Sequence, residues 1–229
     1  MKKRVVVISL GGSLIIPNEI DVEFLKRFKD VIKKNSKNYK FIVVCGGGSI
    51  ARKYITALRS TGINEKLQNF AGISANRTNA RFLSYFFNYA QQEGIPQKIS
   101  EVEKYLKRQS VVFCGALEYH EHQTSDSTAA QIAGHFKTEF INLTNIAGVY
   151  DRDPKKFKNA RFISEISWKD FYKLAHKSKF HPGQHFVLDQ GASKIIMDKK
   201  ITTYILGRDL RQLDNLLNGR NFVGSTISG

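Results

Sequence analysis

Apolar β-branched runs alternate with amphipathic stretches along this chain. Residues 4–10 and 40–45 are nearly continuous apolar segments and predict buried strands. Between them, Val22, Phe24, Leu25, Phe28, Val31 and Ile32 recur at helical spacing within residues 21–36. The glycine run Gly46–Gly48 opens a second helix that continues through Tyr54. Further on, the pattern predicts a helix over 75–91, a strand over 110–114, a helix over 124–136 and a strand over 139–143. Helices near 167–177 and 190–199, a strand over 201–206 and a last helix over 209–218 complete the reading. Fully apolar strands separated by helices predict an α/β protein, a three-layer sandwich with a mainly parallel central sheet covered on both faces. No internal repeat or low-complexity linker interrupts it. A soft boundary near residue 140 divides residues 1–140 from 141–229 as two lobes sharing one continuous sheet. In such sheets ligands collect at the carboxyl ends of the strands.

Composition narrows the partners. A chain of 229 residues, 41% hydrophobic and 24% charged, buries a full core without metal or disulfide staples. Lys and Arg number 36 against 20 Asp and Glu, a net charge of +16, which points to anionic partners. The excess is uneven: residues 1–115 hold 20 basic and 8 acidic residues, net +12, and residues 116–229 only +4. Solvated helix faces account for most single lysines, and a basic field over a phosphate site is the functional alternative. Cys45 and Cys114 each end an apolar run and read as buried thiols of a reducing compartment. No apolar run reaches the ~18 residues of a membrane span. The basic start followed by Val5–Leu10 superficially copies a signal peptide, but Gly11-Gly12-Ser13 breaks it early. A cytoplasmic protein is expected.

Three glycine-bearing turns follow strands: Gly11-Gly12-Ser13, Gly46-Gly47-Gly48-Ser49 and Gly115-Ala116. Glycines admit a ligand close to the backbone, and a helix N-terminus offers free N–H groups with a positive dipole end. Arg52, one turn into the helix after Gly48, has the fork geometry that suits phosphate oxygens. Neither glycine turn has P-loop spacing, and no convincing dinucleotide fingerprint is present, so hydride chemistry is disfavoured. Thr124-Ser125-Asp126 opens a helix, either as a plain cap or as a ligand-binding edge. His120 and His122 lack the further ligands a metal site needs. Thr144-Asn145 ends a strand and leads through Tyr150 to Asp153-Pro154, either a simple turn or a nucleotide rim. Lys194 follows Asp189 and a glycine at a helix start; a lone lysine is usually solvated.

Taken in order, these segments resemble the amino acid kinase superfamily and, within it, the archaeal-type UMP kinases. The resemblance covers nearly the whole chain. It rests on Ser9–Ser13, Gly46–Tyr54, Thr124–Asp126 with Ala129-Ala130, Thr144 through Lys156, and Asp189 through Ile196. It implies a homohexamer that transfers the γ-phosphoryl of ATP to UMP with Mg²⁺ carried by ATP, and no metal held by protein side chains alone. The lobe of residues 1–140 would take the acceptor and residues 141–229 the ATP. By position, Gly12, Ser13, Gly48 and Arg52 would lie along the phosphates, and Thr144, Asn145, Tyr150 and Asp153 would contact ATP. Gly47, Asn69, His122, Gln123, Thr124 and Ser125 would surround UMP. Lys194 matches the lysine that meets the ATP phosphates. Together with Arg52 and Asp126 it forms the catalytic set, Asp126 organising basic groups or metal rather than acting as a base.

Three departures stand out. Ser9 replaces the lysine that many superfamily members carry in the first strand, a trait shared with the archaeal-type kinases. Asn69 stands where the family has an aspartate for the acceptor ribose. The loop from Gly115 to Gln123 is longer and lacks the family's Pro-Gly. Acceptor identity is therefore the reading with rivals: another nucleoside monophosphate, isopentenyl phosphate, or a non-enzymatic oxyanion or metal storage relative. A nucleic-acid binder, prompted by the charge, lacks a recognition motif.

Overall fold

The computed structural model describes residues 3–89, 94–118, 124–176 and 187–229. β1 (Arg4–Leu10) runs into a single turn, α1 (Gly12–Ile15), and then α2 (Val22–Asn35). β2 (Tyr39–Cys45) is followed by α3 (Gly48–Ser60), α4 (Glu65–Phe86) and α5 (Ile99–Arg108). β3 (Val111–Cys114), α6 (Ser125–Phe136) and β4 (Phe140–Leu143) come next. The last third holds a hairpin of β5 (Val149–Tyr150) with β6 (Phe162–Ile163), then β7 (Glu165–Ile166), α7 (Trp168–His176), α8 (Gln190–Lys199), β8 (Thr203–Leu206), α9 (Leu210–Leu217) and β9 (Ser225–Ile227).

Seven strands form the main sheet in the order β3-β2-β1-β4-β8-β9-β7, and only the β8–β9 pair is antiparallel. From β1 the chain steps outward to β2 and β3, then crosses back to β4 on the other side of β1. Right-handed crossovers therefore place α2 through α5 on one face and α6 through α8 on the other. The direction reverses between β1 and β4, and there the crevice of a doubly wound sheet opens. The strands are apolar on both sides because both faces are covered: Val7, Ile8, Phe41 to Val44 and Phe140 are fully buried. On the α2 face Phe28 meets Phe87 at 6.0 Å, and Phe87 meets Phe113 at 4.8 Å, edge to face. Cys45 and Cys114 are buried free thiols, and burial raises Cys114 to about 12, so neither is reactive.

Two helices differ from the sequence pattern. α4 begins at Glu65, ten residues before the expected start, and ends at Phe86 rather than 91. Gly72 obscures its first half. A Cβ there would touch Ile55 Cδ1 at 3.4 Å, so α3 approaches closely and its packing outweighs the intrinsic cost of glycine in a helix. Asn64 caps α4 by accepting the Leu67 N–H at 3.0 Å. α1, α5 and the short strands β5, β6, β7 and β9 were not anticipated.

α2 and α9 are joined by a polar knot. Asp214 accepts from Asn35 Nδ2 at 2.9 Å, Lys34 Nζ at 2.9 Å and Arg220 at 2.6 Å. Partial burial alone would raise the Asp214 carboxyl, but those three donors outweigh it and hold it at about 2. A depressed carboxylate stabilises the fold above its unfolded value and loses that contribution as pH falls toward 2. Asp214→Asn is expected to cost about 1 kcal/mol after solvent screening at pH 7 and roughly a third of that at pH 2.5, where the carboxylate is still largely ionised in the fold. Urea midpoints at the two pH values measure it, and an equal loss at both would discount the charge.

Among the described residues no helix is long and apolar enough to cross a membrane. A groove of 1160 Å³ carrying Lys3, Arg4, Lys137, Lys199 and Lys200 against Glu139 lies at the amino ends of β1, β4 and β8. It faces away from the glycine turns, so the positive charge is not confined to them.

Candidate active site

The register of the sheet brings the strand tips level. Leu10 lies opposite Cys45 on one side and Leu143 on the other. The next residues cross-link the tips: Gly46 N–H donates to Leu10 O and Gly11 N–H to Leu143 O, both at 2.9 Å. Gly12 and the Gly46–Gly48 turn then pack backbone on backbone. A Cβ on Gly12 would lie 2.6 Å from Gly48 Cα and 2.8 Å from Gly46 C. Gly48 sits at φ +64° in the left-handed region that glycine alone enters cheaply. The N-cap of α3 is Gly47, which offers no side-chain cap, so the positive end of a 13-residue helix faces the crevice.

Arg52, one turn into α3, is exposed, with one N–H on Pro17 O at 3.2 Å. Asn69 and Asn76 are two turns apart on one face of α4, the face that Gly72 presents to α3. Asn76 Oδ1 lies 2.6 Å from the position of a Gly47 Cβ, so this face borders the glycine turn. Thr144 is tied at the tip of β4 through its N–H to Leu206 O, 2.9 Å, and Asn145 beside it is exposed. Tyr150 packs edge to face on Phe162 at 5.4 Å, within the β5–β6 hairpin. Asp153 closes a turn, accepting the Lys155 N–H at 2.9 Å, as the simple-turn reading expected.

Beneath the β1 tip lies a pair of carboxyls. Ser9, fully buried, donates to Asp126 Oδ1 at 2.6 Å. Asp189 caps α8 through the Ala192 N–H at 2.7 Å and accepts from Ser127 Oγ at 2.7 Å and from Thr124 Oγ1. Asn142 Nδ2 holds Val187 O at 2.6 Å just upstream. The starts of α6 and α8 are thus knotted together against β1 and β4. Burial, and then the neighbouring Asp189 carboxylate, push Asp126 up to about 7, with the Ser9 hydroxyl pulling the other way.

Not every expected residue joins this constellation. Lys194 is in the second turn of α8, close in sequence to the Asp189 knot, but its ammonium pairs with Asp198 at 3.3 Å on the exposed side of the helix. Thr124 spends its hydroxyl on Asp189 and on the Asp126 N–H, and Ser125 is half-buried next to it. Ser13 is half-buried in α1. His122 and Gln123 lie outside the described residues. Sequence reasoning missed Ser9 as the partner of Asp126, Asp189 as the knot between helices, and the polar face of α4. Only Asp189 left a signal, as an Asp two residues before a glycine at a helix start. Among the described residues no three His, Cys, Asp or Glu side chains cluster as a metal cage.

Glycine turns meeting under the start of a helix have the geometry of an anion-binding crevice. Residues 4–207 match the amino acid kinase family, and the chain belongs to it. Within that family it is similar to proteins named uridylate kinase. The one from Thermoplasma volcanium is 35% identical over 223 residues, covering 97% of this chain and 96% of its own. That from Thermococcus kodakarensis is 30% identical, covering 94% and 96%. Among solved structures, uridylate kinase from Archaeoglobus fulgidus superposes with a TM-score of 0.83 at 32% identity, over 97% of this chain and 99% of that one. UMP kinase from Bacillus anthracis, at 17% identity and a TM-score of 0.80 over 98% and 96%, shares the fold.

Proposed function

We propose that this chain is a UMP kinase, transferring the γ-phosphoryl of ATP to UMP to give ADP and UDP in pyrimidine nucleotide synthesis. The observation that carries it is the meeting of Gly12 with Gly46–Gly48 at the switch point, backbone against backbone, at a helix start that has no side-chain cap. That arrangement suits two phosphorylated molecules laid end to end, and the similar uridylate kinases supply the acceptor.

Phosphoryl transfer asks mainly for alignment and for neutralisation of charge on the moving group. Backbone N–H groups of the glycine turns and of the start of α3 would approach the phosphates, and Arg52 would add a fork. Thr144, Asn145, Tyr150 and Asp153 would border ATP, and Gly47, Asn69, Thr124 and Ser125 would border UMP. The attacking group is an acceptor phosphate oxygen that is already ionised, so no general base is needed. Lys194 must leave Asp198 to reach a phosphate. Little opposes that, because an exposed i,i+4 ion pair is worth only ~0.3–0.5 kcal/mol. Asp126 offers a hard oxygen donor, and its raised proton affinity is the strain that a cation would relieve, so the residues fit a magnesium ion arriving with ATP. Such an ion would neutralise phosphate charge. The two-lobe division near residue 140, a homohexamer and a cytoplasmic location complete the reading.

ADP release measured with UMP, CMP, AMP and isopentenyl phosphate tests it. UMP is expected to turn over fastest; another acceptor in its place would reassign the substrate, and inertness with all four would remove the kinase reading. Lys194→Ala is expected to lower kcat by at least ~10²-fold with the melting temperature unchanged, while Asp198→Ala keeps activity. A full-rate Lys194→Ala enzyme would remove this lysine from catalysis.

A further inference from the structure

α4 lies between two of the strand-tip turns, and its polar face touches both. Asn79 Nδ2, buried, donates to Gly46 O at 2.8 Å, and Asn76 borders Gly47. On the other side Gly115, at the tip of β3, presses on the α4 backbone: a Cβ there would lie 2.7 Å from Arg77 N and 2.8 Å from Asn76 C. Arg77, half-buried, extends along this contact. Its Nε donates to Ala116 O at 3.1 Å and its Nη2 donates to Leu117 O. Ala116 and Leu117 are each 5% exposed, so their carbonyls depend on partners from the protein.

We propose that Arg77 is a positioning residue for the acceptor side of the site, holding the turn after β3 in register with the Gly46–Gly47 turn. This rests on the acceptor reading above, which places UMP against Gly47. A planar guanidinium grips two successive carbonyls at a fixed separation, which a lysine ammonium does not. Without it two buried carbonyls lose a charged donor and the turn is free to shift, while the ATP side, built on β4 and α8, is untouched.

Arg77→Met keeps the length of the side chain and removes its donors; Arg77→Lys restores one. Two readouts separate positioning from general damage. Steady-state kinetics of Arg77→Met are expected to show KM for UMP raised about tenfold with KM for ATP within about twofold, and Arg77→Lys in between. Hydrogen exchange of residues 111–118 is expected to accelerate in Arg77→Met, with β1 and β4 unchanged. Equal shifts in both KM values, or unchanged constants with unchanged exchange, would overturn the proposal. If Arg77→Met fails to fold, Arg77→Lys carries the same comparison. A wild-type enzyme inert toward UMP would remove the acceptor reading instead, and unchanged exchange in the variant would then still defeat the clamp.

Discussion

Asp126→Asn is expected to give a protein that is more stable than the parent at pH 8 and almost inactive. Burial, and then the neighbouring Asp189, raise the Asp126 carboxyl from the usual carboxylate range to about 7, although it accepts a hydrogen bond from Ser9. The folded state therefore holds a proton that the unfolded chain has released. Stability from this group is complete below pH 4, declines as pH climbs from about 4 to 7, and is flat above, because the fold then maintains a second negative charge beside Asp189. An amide carries no such penalty. The variant should match the parent near pH 4 and exceed it at pH 8 by on the order of 1–3 kcal/mol. Catalysis should fall at least ~10²-fold, since the carboxylate that would organise cationic groups around the phosphates is gone. Urea unfolding at both pH values, with ADP release at pH 8, measures the two halves. A variant less stable at pH 8 would show that favourable partners hold the carboxylate ionised.

This trade is what a functional site does to a fold, and it bears on what the sequence discloses. The central strands behind the glycine turns were legible, because both faces are buried and their runs are almost wholly apolar: residues 4–10, 40–45 and 110–114 needed no partner to be recognised, whereas the short β5–β6 hairpin that carries Tyr150 was not read as strand. The glycine turns were legible too, since a triple glycine between strand and helix has few structural uses. Pairings across the fold were not. Ser9 and Asp126 are 117 residues apart, and Arg77 and Leu117 are 40. Nothing in local periodicity says that a serine inside an apolar strand faces a helix-start aspartate, or that an arginine in mid-helix reaches two loop carbonyls. Lys194 illustrates the converse. By resemblance its place in the chain is that of a phosphate-binding lysine, yet a local partner, the charge of Asp198 one turn on, holds its ammonium at 3.3 Å.

The second large effect is expected from a single methyl group at Gly12. A Cβ there meets backbone, Gly48 Cα at 2.6 Å and Gly46 C at 2.8 Å, and backbone in a turn pinned at both ends does not move aside. Gly46 N–H is bonded to Leu10 O, and Ser49 N–H to Ile16 O at 3.0 Å, so relief requires pushing the start of α3 away from β1. Gly12→Ala should cost about 2–4 kcal/mol and lower kcat at least ~10²-fold, because the helix end and both turns leave alignment together. Gly48→Ala adds a left-handed φ of +64° to a clash with Gly12 O at 2.6 Å and should be as severe. Gly62→Ala separates the two causes. It has φ +74° with nothing within 4 Å, so it should lose only about 1 kcal/mol and keep full activity. Thermal melts and ADP-release rates for the three variants distinguish crowding from backbone strain. Full activity in Gly12→Ala would mean that the two turns can part without consequence, and with that the shared phosphate cradle would be lost as an explanation.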